Sequence, residues 1–197
     1  MDLPRVWLTG SRSGQVRQQG ITVPASSSLC IHLDRAVQHP DQQGSDMTDP
    51  EQSFAGPPLT VPYDTNIPRG CYDQLLITIT GQFNPDANVF TVDICRGSDI
   101  AMHMKLHFSD DGGQNIVRNS MVSGEWGTEE RELSCLPFAR GNPFELKILC
   151  TSNEFKVTGN GDYLFEYKHR IQELDSINHL GIYNDVTLTG VSMDTLP

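Results

Sequence analysis

From Leu75 onward, apolar and polar positions alternate with a period of two. Leu75, Ile77 and Ile79 alternate with Leu76, Thr78 and Thr80, and Phe90, Val92 and Ile94 alternate with Thr91 and Asp93. Phe144, Leu146, Ile148 and Cys150 alternate with Glu145, Lys147 and Leu149, and further runs follow at 154–157, 163–167 and 186–193. Turn-forming residues punctuate them: Asn84-Pro85-Asp86, Asp111-Gly112-Gly113, Gly141-Asn142-Pro143 and Gly159-Asn160-Gly161. A two-residue period puts every second side chain on one face of a strand. Many short strands separated by such turns predict an all-β chain, folded as a two-sheet antiparallel sandwich of the jelly-roll type. The one helix-like stretch, Ile171 to Leu174, is long enough for about one turn.

The run from Ile100 to Phe108 carries chemistry as well as pattern. Ile100, Met102, Met104, Leu106 and Phe108 fall on one face and are expected to line the core. Ala101, His103, Lys105 and His107 fall on the other, which spaces three polar side chains roughly 7 Å apart along the strand. A shallow polar groove on a sheet face suits a saccharide. The same pattern also describes the solvated outer face of any sandwich.

Residues 1–56 break the alternation. They are rich in Ser, Gln, Gly and Pro, as in Gly10-Ser11-Arg12-Ser13-Gly14 and Gln42-Gln43-Gly44-Ser45-Asp46, and are expected to form a disordered extension or linker. The short alternation of Leu29, Ile31 and Leu33 is taken as part of that extension. The hydrophobic share of 37% fits a chain of which only part is packed. Residues 57–197 then form one domain, and about 140 residues can bury roughly two-thirds of their unfolded surface in a single core.

A net charge of −11 argues against a nucleic-acid partner and against attraction to an anionic membrane surface. No apolar run approaches the roughly 20 residues that span a bilayer, so direct membrane insertion is not expected. Met1-Asp2-Leu3-Pro4-Arg5-Val6-Trp7 lacks the basic start and apolar stretch of a secretory signal. Cys30, Cys71, Cys95, Cys135 and Cys150 are scattered and odd in number, which fits free thiols in a reducing compartment better than disulfides or a zinc site. No metal-ligand spacing and no phosphate-cradling loop appear, so no cofactor is expected. Glu129-Glu130 would point to opposite faces of a strand, and Asp110-Asp111 falls in a turn. Neither supplies the facing carboxylates of a glycosidase, and the chain is not expected to be an enzyme.

One segment is more specific than the rest. Trp126-Gly127-Thr128-Glu129-Glu130-Arg131 places a large flat ring, a carboxylate and a guanidinium within six residues. An indole stacks on the C–H face of a sugar, while a carboxylate and an Arg fork divide the hydroxyl donors and acceptors at its edge. Upstream lie Asn119, in Val117-Arg118-Asn119, and His103. This order of His, Val-x-Asn and Trp-Gly-x-Glu-x-Arg resembles the galectin carbohydrate-recognition domain, and the resemblance runs from about Pro57 to Leu196.

The resemblance implies the jelly-roll fold and recognition of β-galactoside-containing glycans on glycoproteins or glycolipids. It assigns sugar contacts to His103, Asn119, Trp126, Glu129 and Arg131. It also implies synthesis in the cytosol, a place there or in the nucleus, and export by a non-classical route; it allows a homodimer without fixing the oligomeric state. The family's His-x-Asn-Pro-Arg strand is altered, with Lys105, Leu106 and His107 in place of Asn, Pro and Arg. Lys offers only donors where Asn offers both, and His is shorter than Arg and neutral near pH 7. A weakened or shifted specificity is expected. The rival reading is a galectin-related protein-interaction module without lactose binding. A Glu129 close to His107 would favour the imidazolium, so sugar binding is expected to improve as pH falls from about 8 to 6.

Overall fold

The structure is a computed structural model and describes residues 58–132 and 136–197. The extension at 1–56, with its run at Leu29, Ile31 and Leu33, lies outside the described residues, as do Cys30 and Cys135. Twelve strands occur among the described residues: β1 (Tyr63–Asn66), β2 (Leu75–Phe83), β3 (Val89–Arg96), β4 (Asp99–Phe108), β5 (Gln114–Val122), β6 (Glu125–Trp126), β7 (Glu130–Glu132), β8 (Pro143–Cys150), β9 (Glu154–Gly159), β10 (Asp162–Lys168), β11 (His179–Asn184) and β12 (Val186–Thr195). They form two antiparallel sheets. One has the order β1-β11-β3-β4-β5-β6, with β7 also paired to β5; the other runs β10-β9-β8-β2-β12.

The alternation explains which faces meet. Leu75, Ile77 and Ile79 of β2 and Leu146, Ile148 and Cys150 of β8 point inward from the five-stranded sheet. Phe90, Val92 and Ile94 of β3 and Leu180 and Ile182 of β11 point inward from the other. At one end Phe83 gathers the rings of Phe90, Phe108, Phe138 and Phe144 at centroid distances of 5.6, 5.0, 5.4 and 4.4 Å. Edge and offset contacts of this kind add to the burial of large apolar area. Near the β10 side of the sandwich, a polar bridge ties the sheets together. Ser120 Oγ donates to the Ala101 carbonyl at 2.7 Å, so the Tyr167 hydroxyl, also 2.7 Å away, donates to Ser120. Both side chains are buried, and the bridge satisfies two hydroxyls that would otherwise cost free energy.

Three details depart from the sequence pattern. Met102, Met104, Leu106 and Phe108 are buried, but Ile100 is half-buried while Ala101 is buried. The β4–β5 register shifts between Ile100 and His103, and this irregularity breaks the alternation at that end of the strand. The helix-like stretch is a 3-10 turn at Leu174–Ser176 rather than at Ile171 to Leu174; Ile171 is an anchor in the core. β1 and β11 carry too few large apolar residues for the periodicity to mark them, and they are defined by pairing with each other and with β3. Cys71, Cys95 and Cys150 are free thiols.

Candidate functional site

The outer face of β4 to β7 carries a groove of about 450 Å³. Register builds it. Lys105 on β4, Val117 on β5 and Arg131 on β7 lie side by side across three strands, and His103 lies beside Asn119. With strands about 4.8 Å apart, the Lys105 and Arg131 backbones stand roughly 10 Å from each other. Val117 forms an apolar floor between them. The five residues expected from sequence, His103, Asn119, Trp126, Glu129 and Arg131, all line this one groove together with Lys105, His107 and Gly127.

Trp126 reaches the groove through a tight hairpin. Ser123 and Gly124 have φ of 54° and 81°, the paired positive values of a two-residue turn, where glycine is favoured. Ser123 N–H donates to Asp99 Oδ1 at 2.7 Å and fixes the turn. Trp126 then pairs with Met121 and stands 51% exposed, its ring edge-on to His103 at a centroid distance of 5.2 Å. A half-exposed indole in a groove is poised for a flat apolar partner.

His103 Nδ1 lies 2.6 Å from Asp93 Oδ1 on the adjacent β3. A carboxylate accepts, so Nδ1 carries the proton, and in the neutral ring Nε2 is left as an acceptor. Asn119 is buried and largely committed. Its Nδ2 donates to the Gly127 carbonyl at 2.9 Å, and its Oδ1 accepts from Ser120 N–H at 2.8 Å and Arg170 Nη1 at 2.9 Å. One amide hydrogen is left for a ligand. Asn119 therefore sits mid-strand rather than at a strand end or turn.

Glu129 and Arg131 form a fork. Arg131 Nε and Nη2 donate to Glu129 Oε2 at 2.9 and 2.6 Å, with both side chains about half exposed. Such an exposed pair adds little stability by itself, but it fixes where donors and acceptors face the groove. Glu130 turns the other way, accepting from Arg170 at 2.9 Å and lying 3.6 Å from Arg118.

Arg170 is the residue sequence reasoning missed. It follows β10 and carries no motif, yet its guanidinium donates to Asn119, to the Thr128 carbonyl at 2.8 Å and to Glu130. Gly127 permits this approach, because a Cβ there would lie 2.7 Å from Arg170 Nη1. Asp93, which orients His103, was missed for the same reason: it shares the strand position but no local pattern.

The expected help from Glu129 to a protonated His107 is overturned. Burial first, then the charges of Lys105, Arg131 and His103, hold the His107 imidazolium below its ordinary range. Glu129 is engaged by Arg131 instead. Among the described residues, the side chains of Lys105 and His107 face the groove without a hydrogen bond or ion pair of their own, and no group of His, Cys, Asp and Glu is arranged to hold a metal.

The profile of the galactoside-binding lectin family matches residues 62–193. Galectin-3 of Mus musculus is 42% identical over 135 residues, covering 68% of this chain and 51% of that protein. Galectin-8 of Rattus norvegicus is 36% identical over 135 residues, covering 68% of this chain and 42% of that protein. The chain thus spans about half or less of the length of these relatives. Sheep galectin-11, solved in complex with glycerol, superposes with a TM-score of 0.61 at 26% identity, covering 69% of this chain and 99% of that one. The Caenorhabditis elegans galectin LEC-6 has a TM-score of 0.62 over 70% of this chain and 93% of its own; at 18% identity it speaks for the fold alone.

Proposed function

We propose, from the premise that this chain belongs to the galactoside-binding lectins, the galectins, that its groove binds β-galactoside-containing glycans non-covalently, with a specificity shifted by Lys105 and His107. The observation that carries the reading is the half-exposed Trp126 standing edge-on to His103 within one groove. The chemistry is complementary. The indole offers an apolar face to the C–H side of a pyranose, His103 Nε2 accepts from a hydroxyl, and Asn119 offers its remaining amide hydrogen. Glu129 and Arg131, held by each other, present an acceptor and donors at the ring's edge. Binding energy comes from many modest terms in an open groove, so affinity for a single disaccharide is expected to be weak.

Calorimetry with lactose on the natural chain and on the pair Lys105→Asn plus His107→Arg tests this. Measurable lactose binding that strengthens in the double variant is expected, because Arg supplies a fixed planar fork beside Glu129. No heat from either protein, with both folded, would transfer the reading to a protein-interaction module.

A further inference from the structure

The lectin reading leaves two side chains without a task. Lys105 projects into the groove, and among the described residues nothing pairs with it. It stands level with Arg131 across the Val117 floor, and His107 lies two residues further along the same face of β4. The acid of this part of the groove, Glu129, already accepts two hydrogen bonds from Arg131. The local charge is therefore positive in a chain of net charge −11. The depressed basicity of His107, caused after burial by Lys105, Arg131 and His103, registers the same field. At the other side of the groove Asp93 backs His103 with negative charge. A neutral sugar leaves this asymmetry unused, whereas an ammonium with three free donors is suited to a ligand anion.

We infer that the preferred glycans carry an anionic substituent, a sulfate ester or a carboxylate, seated between Lys105, His107 and Arg131 and away from Asp93. This rests on the lectin reading and names its ligand class. Lys105 supplies a mobile point charge, and Arg131 supplies the N–H groups that Glu129 does not occupy. His107 contributes a ring N–H donor in its neutral form and gains charge when an anion binds beside it.

The test uses the full chain with lactose, lactose sulfated at single defined positions, and sialyllactose, measured by calorimetry at about 20 mM and about 0.5 M salt. At low salt at least one anionic probe is expected to bind about fivefold tighter than lactose, the range of an exposed ion pair, and high salt should erase the advantage. The sulfated and sialylated arms separate the two sources of charge. Lys105→Gln should bring the ratio of anionic to neutral affinity to about one. Lys105→Arg should keep it, and so should Lys147→Gln, which removes one charge from the opposite sheet. Thermal melts check that each variant folds. Lactose binding with no anionic advantage, or a ratio unchanged in Lys105→Gln, overturns this inference and leaves the lectin reading standing. No binding of any probe overturns both.

Discussion

Arg170 and Asn119 are joined at 2.9 Å, from guanidinium Nη1 to amide Oδ1, across 51 positions of the chain. The same guanidinium holds the Thr128 carbonyl and the Glu130 carboxylate. A residue outside the groove thus fastens the segment bearing Trp126 and Glu129 to β5, the strand that β6 and β7 both pair with.

Removing that clasp should loosen the groove without emptying it. Arg170→Ala removes charge-assisted hydrogen bonds to the buried Asn119, to the exposed Thr128 carbonyl and to the partly exposed Glu130, which costs about 1–2 kcal/mol of stability, and lactose affinity should fall in parallel. Arg170→Lys should restore little, because an ammonium cannot reproduce a planar fork spanning three acceptors. Urea melts and lactose calorimetry check this. Unchanged affinity in Arg170→Ala would show that the loop holds its shape unaided.

Trp126→Ala should weaken lactose binding by about 1–3 kcal/mol, by analogy with bases stacked on aromatic side chains. Because the ring is half exposed, the fold should lose little stability. Trp126→Phe should keep part of the affinity. Equal lactose affinity in wild type and Trp126→Ala would refute the stacking role.

His107 should titrate below the ordinary value of about 6.5, followed by its ring resonances in NMR. A base whose folded pKa is depressed binds fewer protons when folded than when unfolded. Stability on its account is then unaffected above the unfolded pKa and falls as pH drops through it. Lys105→Gln should raise the midpoint, and an anionic saccharide should raise it further. A midpoint above the ordinary value in the free protein would contradict the positive field of the groove.

Phe83→Ala should destabilise the domain by about 3–5 kcal/mol, since Phe83 contacts four other rings at one end of the core. Its distance from the groove by sheet and face predicts unchanged lactose affinity for the folded protein. Denaturant melts paired with calorimetry separate the two effects.

Much of this was legible because strands announce themselves by alternation. The inward faces of β2, β3 and β8 follow their sequences residue for residue. Glu129 and Glu130 also point to different partners, as their adjacency suggested, although Glu129 lies just before β7 rather than within it. The misses share a cause. β1 is held by its neighbour rather than by apolar content, and β11 offers only Leu180 and Ile182, too short an alternation to mark a strand. Ala101 is buried through a register shift that no local pattern records. Asp93 and Arg170 act on the groove from β3 and from beyond β10, and proximity of that kind exists only once the sheets have formed. The charge state of His107 was misjudged because its cationic neighbours depend on register, not on spacing.

The half-exposed position of Trp126 has an optical consequence. The chain has two tryptophans, Trp7 and Trp126. In a Trp7→Phe background, the tryptophan emission of the protein, excited at wavelengths that its five tyrosines do not absorb, would come from the groove alone. An indole in contact with water emits at longer wavelength than one covered by an apolar face, so occupancy of the groove becomes visible as a blue shift, without label or immobilised glycan. The same ring that would grip a sugar would also report it.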